Sequence, residues 1–513
     1  MNLLDLFAIP LSDVPAKAAL RFRGVDGVEG SLSYAELFRA AERAAAGFAA
    51  RGLVRGDRIA LFLGNRPELV IAYLAAIRLG AIVVPINLAY RKVELAHILS
   101  DAEPRILLTE RDLLPIVAEV GAAARGSVEA TVVAEEVGEW PHGPAPILSP
   151  PIDGAELAFL LYTSGTTGRS KGARISHDNL LATVTGLLSA WAWERSDVLL
   201  LALPLFHTHG LVVGLHCALA AGATVELRRK FEAQEIASDL TRADPARRPT
   251  LFFGVPTMYV RLVEALADPG VDRSPLARMR LFCSGSAPLA PETFEAFRDL
   301  SGHAILERYG MTEAGMILSN PYAGERRAGT VGTPLPGISV RRVRFGDGSF
   351  DDVPDGEEGE LIVRGGNVFD GYWRAPEKTA ESFVSDDHGN RWFKSGDLAR
   401  RDPQTGAISL LGRSSELILA GGFNVYPREI EEVLLGFPGV REAAVVGRPH
   451  PDFGAVPVAF LVVDPAAAPL DPEALIAFAK ERIASFKVPR EMRQVEALPR
   501  NALGKVQKHL LPR

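Results

Sequence analysis

The chain reads as an α/β protein. A large N-terminal domain of α/β subdomains plus a small β-rich unit (residues 1–413) precedes a small α+β C-terminal domain (residues 414–513). Three observations predict this. Helical and strand patterns alternate through the first part of the chain, as in a parallel sheet with helices on its faces. From about Arg326 the texture changes to short strands and turns, punctuated by Gly332, Gly337, Gly346, Gly348, Gly356 and Gly359. A second change near Arg413 opens a separate run of helices and strands. A chain of 513 residues is also too long for one ordinary core.

Taken in order, Ser33-Tyr34-Ala35-Glu36 is a capping box, in which hydroxyl and carboxylate each satisfy an orphan N–H of a helix start. Leu37, Ala41, Ala44 and Phe48 follow at helical spacing, and Gly52 suits the C-terminal cap. Residues 58–63 predict a strand, 67–79 a helix opened by proline, 82–86 a strand, 93–99 a helix and 105–109 a strand. Residues 140–154 carry Pro141, Pro144, Pro146, Pro150 and Pro151 and read as a linker between subdomains. The rhythm resumes with an apolar strand at 157–161, strands at 250–253 and 280–283, and a helix at 257–267. Past Arg413 the pattern predicts helices at 427–435 and 472–483, strands at 443–446 and 456–463, and a final strand.

Composition excludes several classes. Hydrophobic content of 47% with 23% charge is that of a soluble globular protein. The longest apolar runs are strand-length, short of the roughly 20 residues a membrane helix needs, and the N-terminus lacks the basic region of a signal peptide. Two cysteines, Cys217 and Cys283, are too few for a disulfide scaffold or a four-thiolate zinc site, so the cytoplasm is the expected compartment. A net charge of −7 lacks the basic footprint of a nucleic-acid binder.

The chemistry starts at Tyr162-Thr163-Ser164-Gly165-Thr166-Thr167-Gly168-Arg169-Ser170-Lys171-Gly172, directly after the strand at 157–161. Its glycines let backbone N–H groups approach a ligand, and its hydroxyls and lysine add donors, which together make a polyphosphate cradle. It is not a Walker A loop, because Arg169 and Ser170 separate Gly168 from Lys171 and no Ser or Thr follows the lysine. A flexible loop has the same composition, so the cradle needs company. In Glu307-Arg308-Tyr309-Gly310-Met311-Thr312-Glu313, Tyr309 offers a flat face for a base, Thr312 a hydroxyl for phosphate and Glu313 an oxygen for Mg²⁺. The plain alternative is a loop glutamate that pairs with Arg308. Asp397, after Ser395 and Gly396, is a candidate acceptor for ribose hydroxyls or an ordinary turn residue. Far along the chain, Lys505 follows Pro499-Arg500-Asn501-Ala502-Leu503-Gly504.

The order of these segments carries a resemblance. The cradle, Ser284-Gly285-Ser286-Ala287-Pro288, the Tyr309–Glu313 cluster, Ser395-Gly396-Asp397, Gly412-Arg413, Gly421-Gly422-Phe423-Asn424-Val425 and Lys505 together resemble the acyl-adenylate-forming superfamily, and within it the acyl-CoA synthetases. The resemblance covers nearly the whole chain. It implies ATP, Mg²⁺ and CoA as co-substrates, an acyl-AMP intermediate, and a mobile C-terminal lid. It implies that Thr163, Ser164, Gly165, Thr166, Thr167, Gly168 and Lys171 hold the β- and γ-phosphates. Glu313 and Thr163 would serve the metal, with Glu307, Arg308 and Thr312 in the nucleotide cluster. Tyr309 and the backbone of Ser286, Ala287 and Pro288 would sandwich adenine, and Asp397 with Arg413 would hold ribose. Lys505 would bridge carboxylate and α-phosphate in adenylation alone, and Gly421 and Gly422 would border the CoA channel. The family pivot lies two residues past Arg413, where Asp or Lys is usual; here it is Ser415.

For the acid, His207 in Pro204-Leu205-Phe206-His207-Thr208-His209-Gly210 matches the family's gate beside the carboxylate. His207 and His209 also form a His-X-His pair, but no third ligand is spaced nearby. Arg261, Ser286 and Met311 line the expected pocket, and a guanidinium with a hydroxyl suits a second carboxylate. With Asn320-Pro321-Tyr322 and Met279-Arg280-Leu281-Phe282 these features resemble malonyl-CoA synthetases, implying malonate or methylmalonate as substrate. Arg261 paired with Glu264 on the surface is the bland alternative. Arg280 is discounted as an anchor because arginine is common there in the superfamily. Two further readings stay open: a ligase for a short, fatty or aryl monocarboxylic acid, and a stand-alone adenylating protein that loads a carrier protein. A non-catalytic nucleotide-binding scaffold is disfavoured by the joint presence of Glu313 and Lys505. No obligatory protein partner is expected.

Overall fold

The computed structural model describes residues 2–24, 27–139, 151–163, 170–245, 247–346, 349–420, 423–450, 453–465, 470–500 and 505–512. Four sheets organise the described residues. The first runs in the order Ala130–Val133, Ile106–Thr109, Arg58–Phe62, Ile82–Pro85, Leu157–Thr163, Lys171–Ser176. Its pairs are parallel up to the last, which is an antiparallel hairpin. The second has nine strands and places Leu306–Met311, Leu281–Ser284, Leu251–Gly254, Val198–Leu201, Thr224–Leu227 and Ala18–Arg23 side by side and parallel. The third is the glycine-punctuated unit, wholly antiparallel, built on Ile338–Phe345, Glu358–Gly365, Arg391–Arg401 and Ile408–Arg413. The fourth belongs to the C-terminal domain and centres on Val440–His450 and Gly454–Val463.

The central strands of the parallel sheets are apolar on both faces because helices cover both. Leu281, Phe282 and Cys283 are all buried, as are Ile106, Leu107 and Leu108. The expected helix cap at Ser33 is present, its hydroxyl accepting from Glu36 N while Glu36 returns to Ser33 N at 2.8 Å. The predicted helices are Pro67–Arg78, Lys92–Ala102, Pro256–Leu266, Pro427–Leu435 and Pro472–Lys480. Asp471 caps the last of these, and it stops three residues short of the expected end. The linker expected at 140–154 falls for the most part outside the described residues. Among the described residues no helix is long and apolar enough to cross a membrane.

One local expectation is corrected. Of the cradle read as a loop over 162–172, both ends are strand: Tyr162 and Thr163 end one strand, Lys171 and Gly172 begin the next, and Thr163 pairs with Lys171. A hydroxyl, a lysine and alternating apolar residues satisfy a strand as well as a loop, so composition alone misplaced the boundary.

Candidate active site

Two hairpins meet at the carboxyl ends of the parallel strands. The tip of Leu306–Met311 and Gly315–Ser319 holds Glu313 in a tight helical turn. Glu313 is buried, and its Oε1 accepts from Thr163 Oγ1 at 3.3 Å and from the Tyr372 hydroxyl at 3.0 Å. The alternative of a loop glutamate paired with Arg308 therefore does not hold. The Lys171 ammonium lies 5.4 Å from the centre of the Tyr372 ring. Met311 and Thr312 are half-buried beside this group.

Asp397 sits within the long strand Arg391–Arg401, not in a turn, and is buried. Arg413 Nε reaches its Oδ1 at 2.8 Å, and the buried Tyr309 hydroxyl donates to its Oδ2. Burial still holds the Asp397 carboxyl above the usual range, against Arg413 and the Tyr309 bond. Lys505 is exposed, yet it is close enough to influence Asp397 electrostatically. Its own ammonium is lowered by the surrounding atoms and by Arg413, with Asp397 and Glu416 opposing. A tail residue and a strand residue 108 positions apart are thus brought to one place.

Ser286 adopts φ +69°, a strained value for a residue other than glycine. Its hydroxyl lies 3.3 Å from His209 Nδ1. His207 Nδ1 accepts from the His209 N–H at 3.2 Å. Burial, and secondarily the Arg308 charge, push His207 down to about 4 and His209 well below its ordinary value, so both rings are neutral at pH 7. Arg308 is 4% exposed, and its Nε and Nη2 have no hydrogen-bond partner among the described residues. It packs so tightly under Gly285 that a Cβ there would lie 2.3 Å from its Cζ. Arginine keeps its charge in proteins, so this is a buried cation short of an anion.

Sequence reasoning missed His209 and Tyr372 as site residues and placed Arg308 with the nucleotide. Two adjacent charges, Glu307 and Arg308, within the strand Leu306–Met311 were the available signal for Arg308; Tyr372 carries none. Arg261 is exposed on its helix, and no ion pair to Glu264 occurs among the described residues. Arg280 is committed to buried Asp197, at 2.8 and 2.7 Å, and to Tyr322. Gly421, Gly422 and residues 164–169 lie outside the described residues. Ser415 is exposed within the short turn Ser414–Glu416. Ala287 is half-buried and Pro288 exposed, after the strand that pairs Ser284 with Glu307.

Residues 11–373 match the AMP-binding enzyme family, and residues 429–505 match the AMP-binding enzyme C-terminal domain. The chain belongs to the AMP-binding enzyme family. Malonate–CoA ligase ACSF3, mitochondrial, from Bos taurus is 35% identical over 503 residues, spanning 90% of this chain and 82% of that protein. Feruloyl-CoA synthase from Amycolatopsis sp. is 34% identical, spanning 96% and 95%. The crystal structure of ATP-bound MatB from Rhodopseudomonas palustris superposes with a TM-score of 0.88 at 39% identity, covering 99% of this chain and 98% of that one. This AMP-binding family member is an acid–CoA ligase that works through an adenylate and uses ATP, Mg²⁺ and CoA.

Glu307 supplies a pH test. It is 5% exposed, and burial pushes its carboxyl up to about 7 despite Arg428 and backbone donors from Gly329 and Leu289. The folded state therefore holds this proton more tightly than the unfolded chain, and its contribution to stability is lost as pH rises from about 4.5 to about 7. Glu307→Gln keeps the acceptor oxygen and removes the charge. It is expected to stabilise the fold by on the order of 1–3 kcal/mol at pH 8 and to change little at pH 4. Urea melts at the two pH values check this; equal shifts at both would contradict it.

Proposed function

We propose that the enzyme is a malonate–CoA ligase, acting on malonate or methylmalonate and releasing AMP and pyrophosphate. One observation carries the choice of acid: Arg308, buried and short of partners, lies under Gly285 beside Ser286, and its charge is felt by both pocket histidines. A distal carboxylate would satisfy the idle guanidinium N–H groups, with the Ser286 hydroxyl as a second donor. His207 and Met311 then border the reacting end. Arg261, exposed on the neighbouring helix, is assigned to drawing the dianion in, a surface role weaker than that of Arg308.

Thr163, Glu313 and Tyr372 form an oxygen-only group that fits a hard cation such as Mg²⁺. The ion, when bound with the nucleotide, neutralises phosphate charge. Lys171 and the cradle hold the outer phosphates. Tyr309 and the backbone of Ser286, Ala287 and Pro288 enclose adenine, and ribose hydroxyls replace the Tyr309 bond to Asp397. Lys505 neutralises the approach of two anions, which at ~4 Å repel by about 1 kcal/mol in water and several times more in a dry site. The lid is residues 414–513, turning about Ser415 to exchange Lys505 for Gly421 and Gly422. The cytoplasm is the proposed compartment.

A panel of malonate, methylmalonate, acetate, butyrate and ferulate, with ATP, Mg²⁺ and CoA and AMP release as the readout, tests the reading. A pocket built around a required polar group rejects acids that lack it by as much as ~10⁴-fold. Malonate should therefore lead by orders of magnitude. Ferulate leading instead, in line with the feruloyl-CoA synthase relative, would overturn the malonate assignment.

A further inference from the structure

A second cleft lies beside the strand that carries Asp397. Lys171, Lys378, Lys394, Glu360, Glu381 and Ser382 line an open space of about 350 Å³. Its three lysines come from three elements: the return strand of the cradle hairpin, the helix Pro376–Glu381 and the strand Arg391–Arg401. Burial alternates along that last strand, with Ser395 and Asp397 inside and Lys394 and Gly396 half-exposed, so Lys394 belongs to the face opposite Asp397.

The lysines converge. Glu381 is bonded to Lys378 at 2.7 Å and is also influenced by Lys171 and Lys394. Glu360, the other acid, is half-buried; burial pushes it toward its neutral form against Lys394 and the Gly396 N–H. The cleft sets three lysines against two acids, and one of those acids is paired with Lys378. Lys394 lies 5.7 Å from the Phe345 ring centre and Lys171 5.4 Å from that of Tyr372. A ring takes one side of an ammonium and leaves N–H groups for a further acceptor. Tyr372 in turn donates to Glu313, so the cleft begins where the proposed phosphate and metal groups end.

We infer that this cleft docks inorganic pyrophosphate as it leaves the adenylation site. In adenylation a carboxylate oxygen bonds to the α-phosphorus. The bond from that phosphorus to the oxygen bridging to the β-phosphate breaks, and its electron pair departs with pyrophosphate. A leaving polyanion needs cations along its route, and Lys171, Lys378 and Lys394 supply them from the cradle outward. The inference rests on adenylation at the neighbouring site and not on which acid is used.

Calorimetric titration of magnesium pyrophosphate into the full chain, without acid or ATP, tests this, with CoA titrated in parallel as the other phosphate-bearing ligand. Lys378→Gln and Lys394→Gln should each weaken pyrophosphate binding on the order of tenfold, the loss expected for one charged hydrogen bond. Lys394→Arg should restore most of it, and CoA binding should hold in all three variants. Product inhibition by pyrophosphate should weaken in step. Pyrophosphate affinity within about twofold of wild type in both glutamine variants would overturn the inference. So would a loss confined to CoA, which would give the cleft to the phosphates of that ligand. Lys378 is exposed and Lys394 half-exposed, so neither change removes core packing. Failure of the malonate reading would show in the acid panel and leave these titrations unmoved.

Discussion

Lys505→Ala is expected to slow adenylation by about 10²–10³, the usual loss when one preorganised transition-state donor is removed, while thioester formation from supplied acyl-AMP and CoA proceeds at close to the wild-type rate. The reason is electrostatic. Two anions must touch in the first half-reaction, and an ammonium that has reached the Asp397–Arg413 pair stands where it can offset their repulsion. In the second half-reaction the attacked centre is the carbonyl carbon of a mixed anhydride with AMP, and that offset is no longer needed. Acid-dependent exchange of pyrophosphate into ATP reads the first step; thioester formation from acyl-AMP reads the second. Equal losses in the two assays would remove Lys505 from this role.

Arg308→Met is expected to lower kcat/KM for malonate by about 30-fold to several thousand-fold, corresponding to ~2–5 kcal/mol for truncating one member of a buried charge pair. Activity toward butyrate should fall far less, because that acid has no distal charge for Arg308 to meet. The same substitution should raise the melting temperature of the ligand-free enzyme. It removes a buried cation whose Nε and Nη2 have no partner among the described residues and fills most of its volume with an apolar chain. The pairing of lost diacid activity with gained stability separates a binding role from a merely structural one, since a structural arginine would cost stability when removed. A malonate kcat/KM unchanged from wild type, or an equal fall for every acid, would end the case for Arg308 as the anchor.

Local features were legible before the fold was seen. The capping box at Ser33, the proline-opened helices at Pro67, Pro427 and Pro472, and the β-rich texture after Arg326 depend on residues close together in the chain. Their physics is short-range, so spacing alone reveals it. The order of the cradle, the Tyr309–Glu313 cluster, Asp397, Arg413 and Lys505 was equally legible, and the match of residues 11–373 and 429–505 to the two AMP-binding family domains agrees with it.

Pairings between distant segments were not. The meeting of Thr163 and Tyr372 on Glu313, the hydroxyl of Tyr309 on Asp397, and the approach of Lys505 to that aspartate all depend on which strands adjoin. The contrast between Arg261, exposed, and Arg308, buried with Nε and Nη2 unpartnered among the described residues, could not be read from residue type, because burial is a property of the packed sheet and not of the side chain. The amino-acid order by itself carried the family resemblance through its motifs, and it marked many of the helices and strands, since caps and periodicity rest on local spacing. Tertiary structure alone decided which of two arginines is buried, because water is excluded only where distant parts of the chain pack together.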